Sequence, residues 1–104
     1  MTPSQLSKRF LEEQGYVVWK TEHWNAFAHI RQDLFGFADF IACQVGKAKL
    51  LIQTTTLSNV SARIKKILSN PIAAVWIDGG RDQIVVHGWF KKGRKWEVKE
   101  VFLS

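Results

Sequence analysis

Between Phe37 and Thr55 the sequence reads FADFIACQVGKAKLLIQTT. Two runs rich in β-branched, aromatic and other apolar residues flank Gly46. That pattern predicts two strands, Phe37–Cys43 and Lys49–Thr55, joined as a hairpin. One carboxylate, Asp39, stands inside the first run between Ala38 and Phe40. Placing a carboxylate in an apolar strand is costly unless it is paired. A fold built on this hairpin must therefore give Asp39 a partner.

The flanking sequence sets the hairpin in a mixed α/β (α+β) order. Thr2-Pro3-Ser4-Gln5 predicts a helix start, with Thr2 as cap, Pro3 at the first helical position and Gln5 completing a capping box. Leu6, Phe10 and Leu11 form its apolar stripe, and Gly15 stops it. Tyr16-Val17-Val18-Trp19 predicts a strand. His23 to Gln32 shows no clear period and reads as a loop. Ser58 caps a second helix running to about Ser69, whose apolar positions are Val60, Ile64, Ile67 and Leu68. Asn70-Pro71 ends that helix, and the apolar run Ile72–Ile77 predicts a strand buried on both faces. In that reading Val75→Asp would unfold the chain. Gln83–Phe90 and Trp96–Leu103 form a final hairpin around Lys91-Lys92-Gly93-Arg94-Lys95. The order implies a mixed sheet with helices packed on it, in one domain spanning residues 1–104.

Charge narrows the partners. Fifteen Lys and Arg against nine Asp and Glu leave a net charge of +6, which points either to a polyanionic partner such as nucleic acid or to a solvated basic surface, with the distribution of charge to decide. No apolar run is long enough to predict a membrane span, and the first ten residues lack the apolar core of a secretory leader. Cys43 is the only cysteine, so an intramolecular disulfide is impossible. That suits a reducing, cytoplasmic setting. Zinc-module ligand spacings do not occur.

Four stretches carry a family resemblance: EEQGYVVWK, then ADFIACQVGKAKLLIQTTT, with RQDLFGFADFIA and SARIKKI around the latter. Together with the element order they resemble the PD-(D/E)xK nuclease superfamily over roughly residues 3–77. The likeness is greatest to archaeal Holliday junction resolvases and small phage-encoded nucleases. It implies an α-β-β-β-α-β restriction-endonuclease-like core, here followed by a C-terminal hairpin. It implies a structure-selective, metal-dependent DNA endonuclease using Mg²⁺ or Mn²⁺ and working as a homodimer, in the nucleoid or in host cytoplasm if phage-borne. In that superfamily an Asp opening the second strand binds metal, and an acid and a lysine two residues apart on the third strand bind metal and poise water. Spacing of two puts both side chains on one face of a strand. Magnesium takes oxygen ligands, and attack on a phosphodiester is helped by an adjacent cation.

By the resemblance Asp39 takes the metal-binding position, Gln53 the acid position and Thr55 the lysine position. Gln53 still offers a carbonyl oxygen, whereas Thr55 supplies no cation. Nearby residues could repair the set. Asp33 lies six residues before Asp39 and either supplies a second carboxylate or caps a turn. Glu22 ends the first strand, next to His23. Lys65 or Lys66 on the second helix could take over the lysine's role or simply be solvated. Arg31 and Arg63 could hold phosphate. Trp24, in a polar loop with Asn25 and Phe27, is a base-stacking candidate. The tip residues Lys91, Lys92, Arg94 and Lys95 either follow a phosphate backbone or solubilise a turn. A catalytically degenerate DNA-binding or protein-interaction module on the same scaffold is the alternative, because both third-strand positions have changed.

If the tip touches DNA, replacing Lys91, Lys92 and Arg94 together with Ala flattens the slope of log affinity against log salt by roughly 0.9 for each phosphate that is no longer neutralised. An unchanged slope, measured by fluorescence anisotropy over a salt series, would remove the tip from the interface.

Overall fold

The first helix starts as its sequence dictates. The Thr2 hydroxyl accepts from the Gln5 amide at 3.2 Å while the Gln5 side chain accepts from the Thr2 amide at 2.9 Å. The helix α1 spans Pro3–Glu13 in this computed structural model, which describes residues 1–103. At its far end Gly15 adopts φ 92°, and the amides of Gly15 and Tyr16 return to the carbonyls of Glu12 and Leu11. This is the Schellman ending, which a residue without Cβ enters at no steric cost.

Strands β1 (Val17–Lys20), β4 (Phe40–Cys43) and β5 (Leu50–Thr56) follow the expected meander. Between β1 and β4, where a loop was expected, His23–Asn25 (β2) and Ile30–Gln32 (β3) pair as a small separate hairpin. Its strands are only three residues each, too short for a period to show in the sequence.

The strand expected at Ile72–Ile77 is instead helical. After α2 (Val60–Leu68) comes α3, Pro71–Ile77. Asn70 caps it by accepting from the Ile72 amide at 2.9 Å, and Pro71 takes the first helical position. The Asn-Pro pair that reads as a helix end is here a helix start. Within α3 only Ala73 is fully buried; Trp76 and Ile77 are partly buried against the core, and Val75 is 75% exposed.

The strand buried on both faces is β6, Gln83–Lys92, which is continuous with β7, Lys95–Leu103, through a two-residue turn. Sheet order is β1-β4-β5-β6-β7, with β5 and β6 parallel and the other pairs antiparallel. The protein is thus a mixed α+β fold with a five-stranded mixed sheet and three helices.

Two apolar layers cover the sheet. Leu11 of α1 packs with Phe40, Ala42, Leu50, Ile52 and Val85 on one side. Val60, Ile67 and Ala73 from the other helices pack with Leu51, Ile84 and Val86 on the opposite side. Alternation along β5 and β6 thus divides adjacent residues between two cores. Each fully buried aliphatic side chain contributes about 1.5–3 kcal/mol.

Gly88 fixes how closely the crossover helices approach. A Cβ there would overlap the Val60 side chain and come 3.3 Å from the Leu57 Cα. Gly88→Ala is therefore expected to cost about 1–3 kcal/mol, while Val75→Asp, on an exposed helix face, stays within about 0.5 kcal/mol of wild type. Urea denaturation of both variants checks the pair. The reverse ranking would place residues 71–77 in the core.

Candidate metal and phosphate cleft

Asp39 sits where the chain enters β4. Its amide donates to the Ile52 carbonyl at 2.8 Å, and its own carbonyl accepts from Thr21 at 2.9 Å. The main chain of Asp39 is thereby held between β1 and β5. Just before it, Leu34 and Ala38 exchange backbone hydrogen bonds of 3.0 and 2.9 Å around a tight loop. Phe35 and Gly36 in this loop have φ 58° and 85°. The loop folds Asp33 back toward Asp39.

The Asp39 carboxyl is nearly buried and well bonded on one oxygen. Its Oδ2 accepts from the Thr54 amide at 2.8 Å, the Thr54 hydroxyl at 3.0 Å and Gln53 Nε2 at 3.1 Å. Burial pushes its pKa up to about 7, and the neighbouring Asp33 charge adds to the rise, against the lowering effect of the Thr54 donors. Gln53 Nε2 also donates to the Thr54 carbonyl at 3.2 Å. Both neighbours of the amide nitrogen are acceptors, which fixes the orientation of the amide. Gln53 Oε1 is left buried with no hydrogen-bond partner. Such an orphan costs about 1–3 kcal/mol.

These groups line one cleft of about 330 Å³ with Pro3, Ser4, Glu22, Arg31, Asp33, Thr54 and Arg63. One carboxylate oxygen from each of Glu22, Asp33 and Asp39 lies within 4.8 Å of the others. The residues proposed as ligands from sequence, Asp39, Asp33, Gln53 and Glu22, thus converge in space, as do both arginines. Arg31 Nη1 donates to Glu22 Oε1 at 2.9 Å but remains largely exposed.

The remaining candidates lie elsewhere. Thr55 is buried and does not line the cleft. Arg63 rather than Lys65 or Lys66 is the α2 residue at the cleft; Lys66 lines a neighbouring hollow with His23, Arg31, Gln32, Asp33 and Gly36. Trp24 is on β2 and 58% exposed. The basic tip is a tight turn in which Gly93 has φ 64°, and Lys91 Nζ sits 5.1 Å over the Trp96 ring. In register Gln53 faces Val86, six residues before Lys92, so the tip stands on the order of 20 Å along the sheet from the cleft.

Sequence reasoning missed a buried polar chain. The Ser7 hydroxyl accepts from Trp89 Nε1 at 2.8 Å and bonds His87 Nδ1 at 2.9 Å, while His87 Nε2 meets Glu100 at 3.1 Å. A carboxylate only accepts, so Nε2 carries the ring proton and donates to Glu100, and Nδ1 of the neutral ring accepts from the Ser7 hydroxyl. Burial lowers the His87 pKa, against the opposing pull of Glu100. Ser7 and His87 have no exposed surface, so this serine–histidine–glutamate chain ties elements together and offers no entry to a substrate. Its only sequence signal was a histidine among apolar residues of β6.

No family model, curated protein or solved structure matches this chain. Among the described residues no helix is long and apolar enough to cross a membrane.

Asp39 supplies a pH signature. A carboxyl whose folded pKa is raised stabilises the fold fully only below its ordinary value near 3.8, and that contribution fades as pH rises through about 7. Without divalent ions, wild type should therefore lose melting temperature between pH 6 and pH 8, and Asp39→Asn should lose less. Equal losses in scanning fluorimetry would show that Asp39 is already ionised in the fold at pH 6.

Proposed function

We propose that the protein is a divalent-metal-dependent DNA endonuclease, with Asp39, Asp33, Glu22 and Gln53 Oε1 as the cation ligands. The observation that carries this reading is the convergence of three carboxylates on one cleft beside Gln53, whose buried Oε1 has no hydrogen-bond partner. The donor set is all oxygen, as hard cations such as Mg²⁺ and Mn²⁺ require. The reading adopts a PD-(D/E)xK-like core, with the antiparallel meander, the helical crossover and the parallel β5–β6 pair as its support.

A bound cation supplies Lewis-acid polarisation of the phosphate and lowers the pKa of a water. The chain's own residues do the rest. Arg63 and Arg31 stand at the cleft to hold non-bridging phosphate oxygens. Neither can act as a base, because guanidinium stays protonated. Thr54 orients the Asp39 carboxyl through two donors to one oxygen, leaving its other oxygen for the cation. Two copies acting together would suit paired strand cleavage.

A specific observation favours the degenerate alternative: Asp39 Oδ2 is already satisfied by three donors, and position 55 brings no cation to the cleft. The two readings separate in one assay, nicking of supercoiled and branched DNA with and without Mg²⁺ or Mn²⁺. The endonuclease reading expects metal-dependent cleavage that Asp39→Asn abolishes and Arg63→Ala reduces roughly 100-fold, with Gln53→Glu tightening metal binding. Binding without cleavage would establish the degenerate module. Cleavage surviving Asp39→Asn would remove this cleft as the active site.

A further inference from the structure

The small β2–β3 hairpin stands beside the cleft and carries an unusual load of exposed apolar surface. Trp24 is 58% exposed, Ile30 51% and Phe27, at the tip, 100%. The hairpin is built to hold its shape. Asn25 Oδ1 accepts from the amides of Phe27 and Ala28 at 3.0 and 3.1 Å. His29 turns the chain with φ 54°, and its ring meets the Trp24 indole edge-on at 6.3 Å.

Register assigns the faces. Trp24 pairs directly with Arg31, so both side chains leave the same face of the ribbon. Arg31 lines the acidic cleft, and beyond its single bond to Glu22 its guanidinium keeps donors free. Directly opposed positions in such a ribbon lie about 5 Å apart at Cβ. An apolar protein partner would use the indole but leave the arginine, its neighbour Arg63 and the net +6 without a counterpart.

We propose that this hairpin selects DNA carrying unpaired nucleotides: Arg31 holds the phosphate at the cleft and Trp24 stacks the attached base, with Phe27 available to the next one. The proposal rests on the DNA-cleft reading and names its substrate class. In duplex DNA both faces of each base are already stacked, so an aromatic ring finds a free base face only where a strand is single or a junction is open. Because the hairpin is held in shape by its own hydrogen bonds, little ordering is needed on binding.

The test compares affinity for a blunt duplex with that for the same duplex bearing a ten-nucleotide single-stranded tail, in Ca²⁺ to prevent cleavage. Wild type should prefer the tailed DNA by roughly 5- to 100-fold. Trp24→Ala should bring the ratio close to one, and Trp24→Phe should keep part of it. Bromodeoxyuridine in the tail should photocrosslink to Trp24. A wild-type ratio near one overturns the selection while leaving the DNA reading intact, as does a preference that survives Trp24→Ala. Failure to bind either DNA sinks both. A solution dimer that Trp24→Ala dissociates would assign the hairpin to contacts between copies and overturn the proposal as well.

Discussion

The parallel pairing of β5 with β6 governs this architecture. Antiparallel neighbours can be joined by a tight turn, but a parallel pair needs a crossover that leaves the sheet and returns. Here residues 57–82 make that crossover, and α2 and α3 are its body. Gly88 lets the start of the crossover lie directly against β6. The route delivers Arg63 to the end of β5 where Gln53 and Thr54 meet Asp39. The cleft is thus a product of chain connectivity as much as of its individual residues.

Inside the cleft, opposite demands coexist. Thr54 and Gln53 satisfy one oxygen of Asp39, which makes a carboxyl tolerable at the margin of two apolar cores. The same arrangement crowds it against Asp33 and strands the Gln53 carbonyl. An apolar replacement at 39 would relieve the crowding but leave the three donors to Oδ2 without an acceptor. Strain retained at a concave site is what functional geometry usually leaves behind.

Much of this was legible in the residues. The capping box, the Gly15 stop and the central hairpin follow from local chemistry, and the meeting of Asp39 with Gln53 follows from placing the two strands in register. The failures share a cause. Ile72–Ile77 is apolar without a period, so periodicity cannot tell strand from helix, and Asn70-Pro71 is equally good grammar for an end or a start. β6 was read as half of a hairpin, which it is; its second, parallel partner is a long-range choice that no local pattern encodes. For α2, the spacing placed Val60 and Ile67 in the core but also Leu68, which is 65% exposed, and it did not show the rotation over the sheet that brings Arg63 rather than Lys65 or Lys66 to the cleft.

The Ser7 hydroxyl serves two masters at once, the indole of Trp89 and the imidazole of His87. It belongs to α1, while both partners belong to β6, some eighty residues later in the chain. Lifting the amino-terminal helix therefore orphans two buried polar groups in the middle of the sheet in a single step. Helices at chain ends ordinarily fray and detach cheaply. Detaching α1, by contrast, breaks both of these bonds at once. Pro3 and Ser4, which help line the cleft, belong to the same helix and share that anchor.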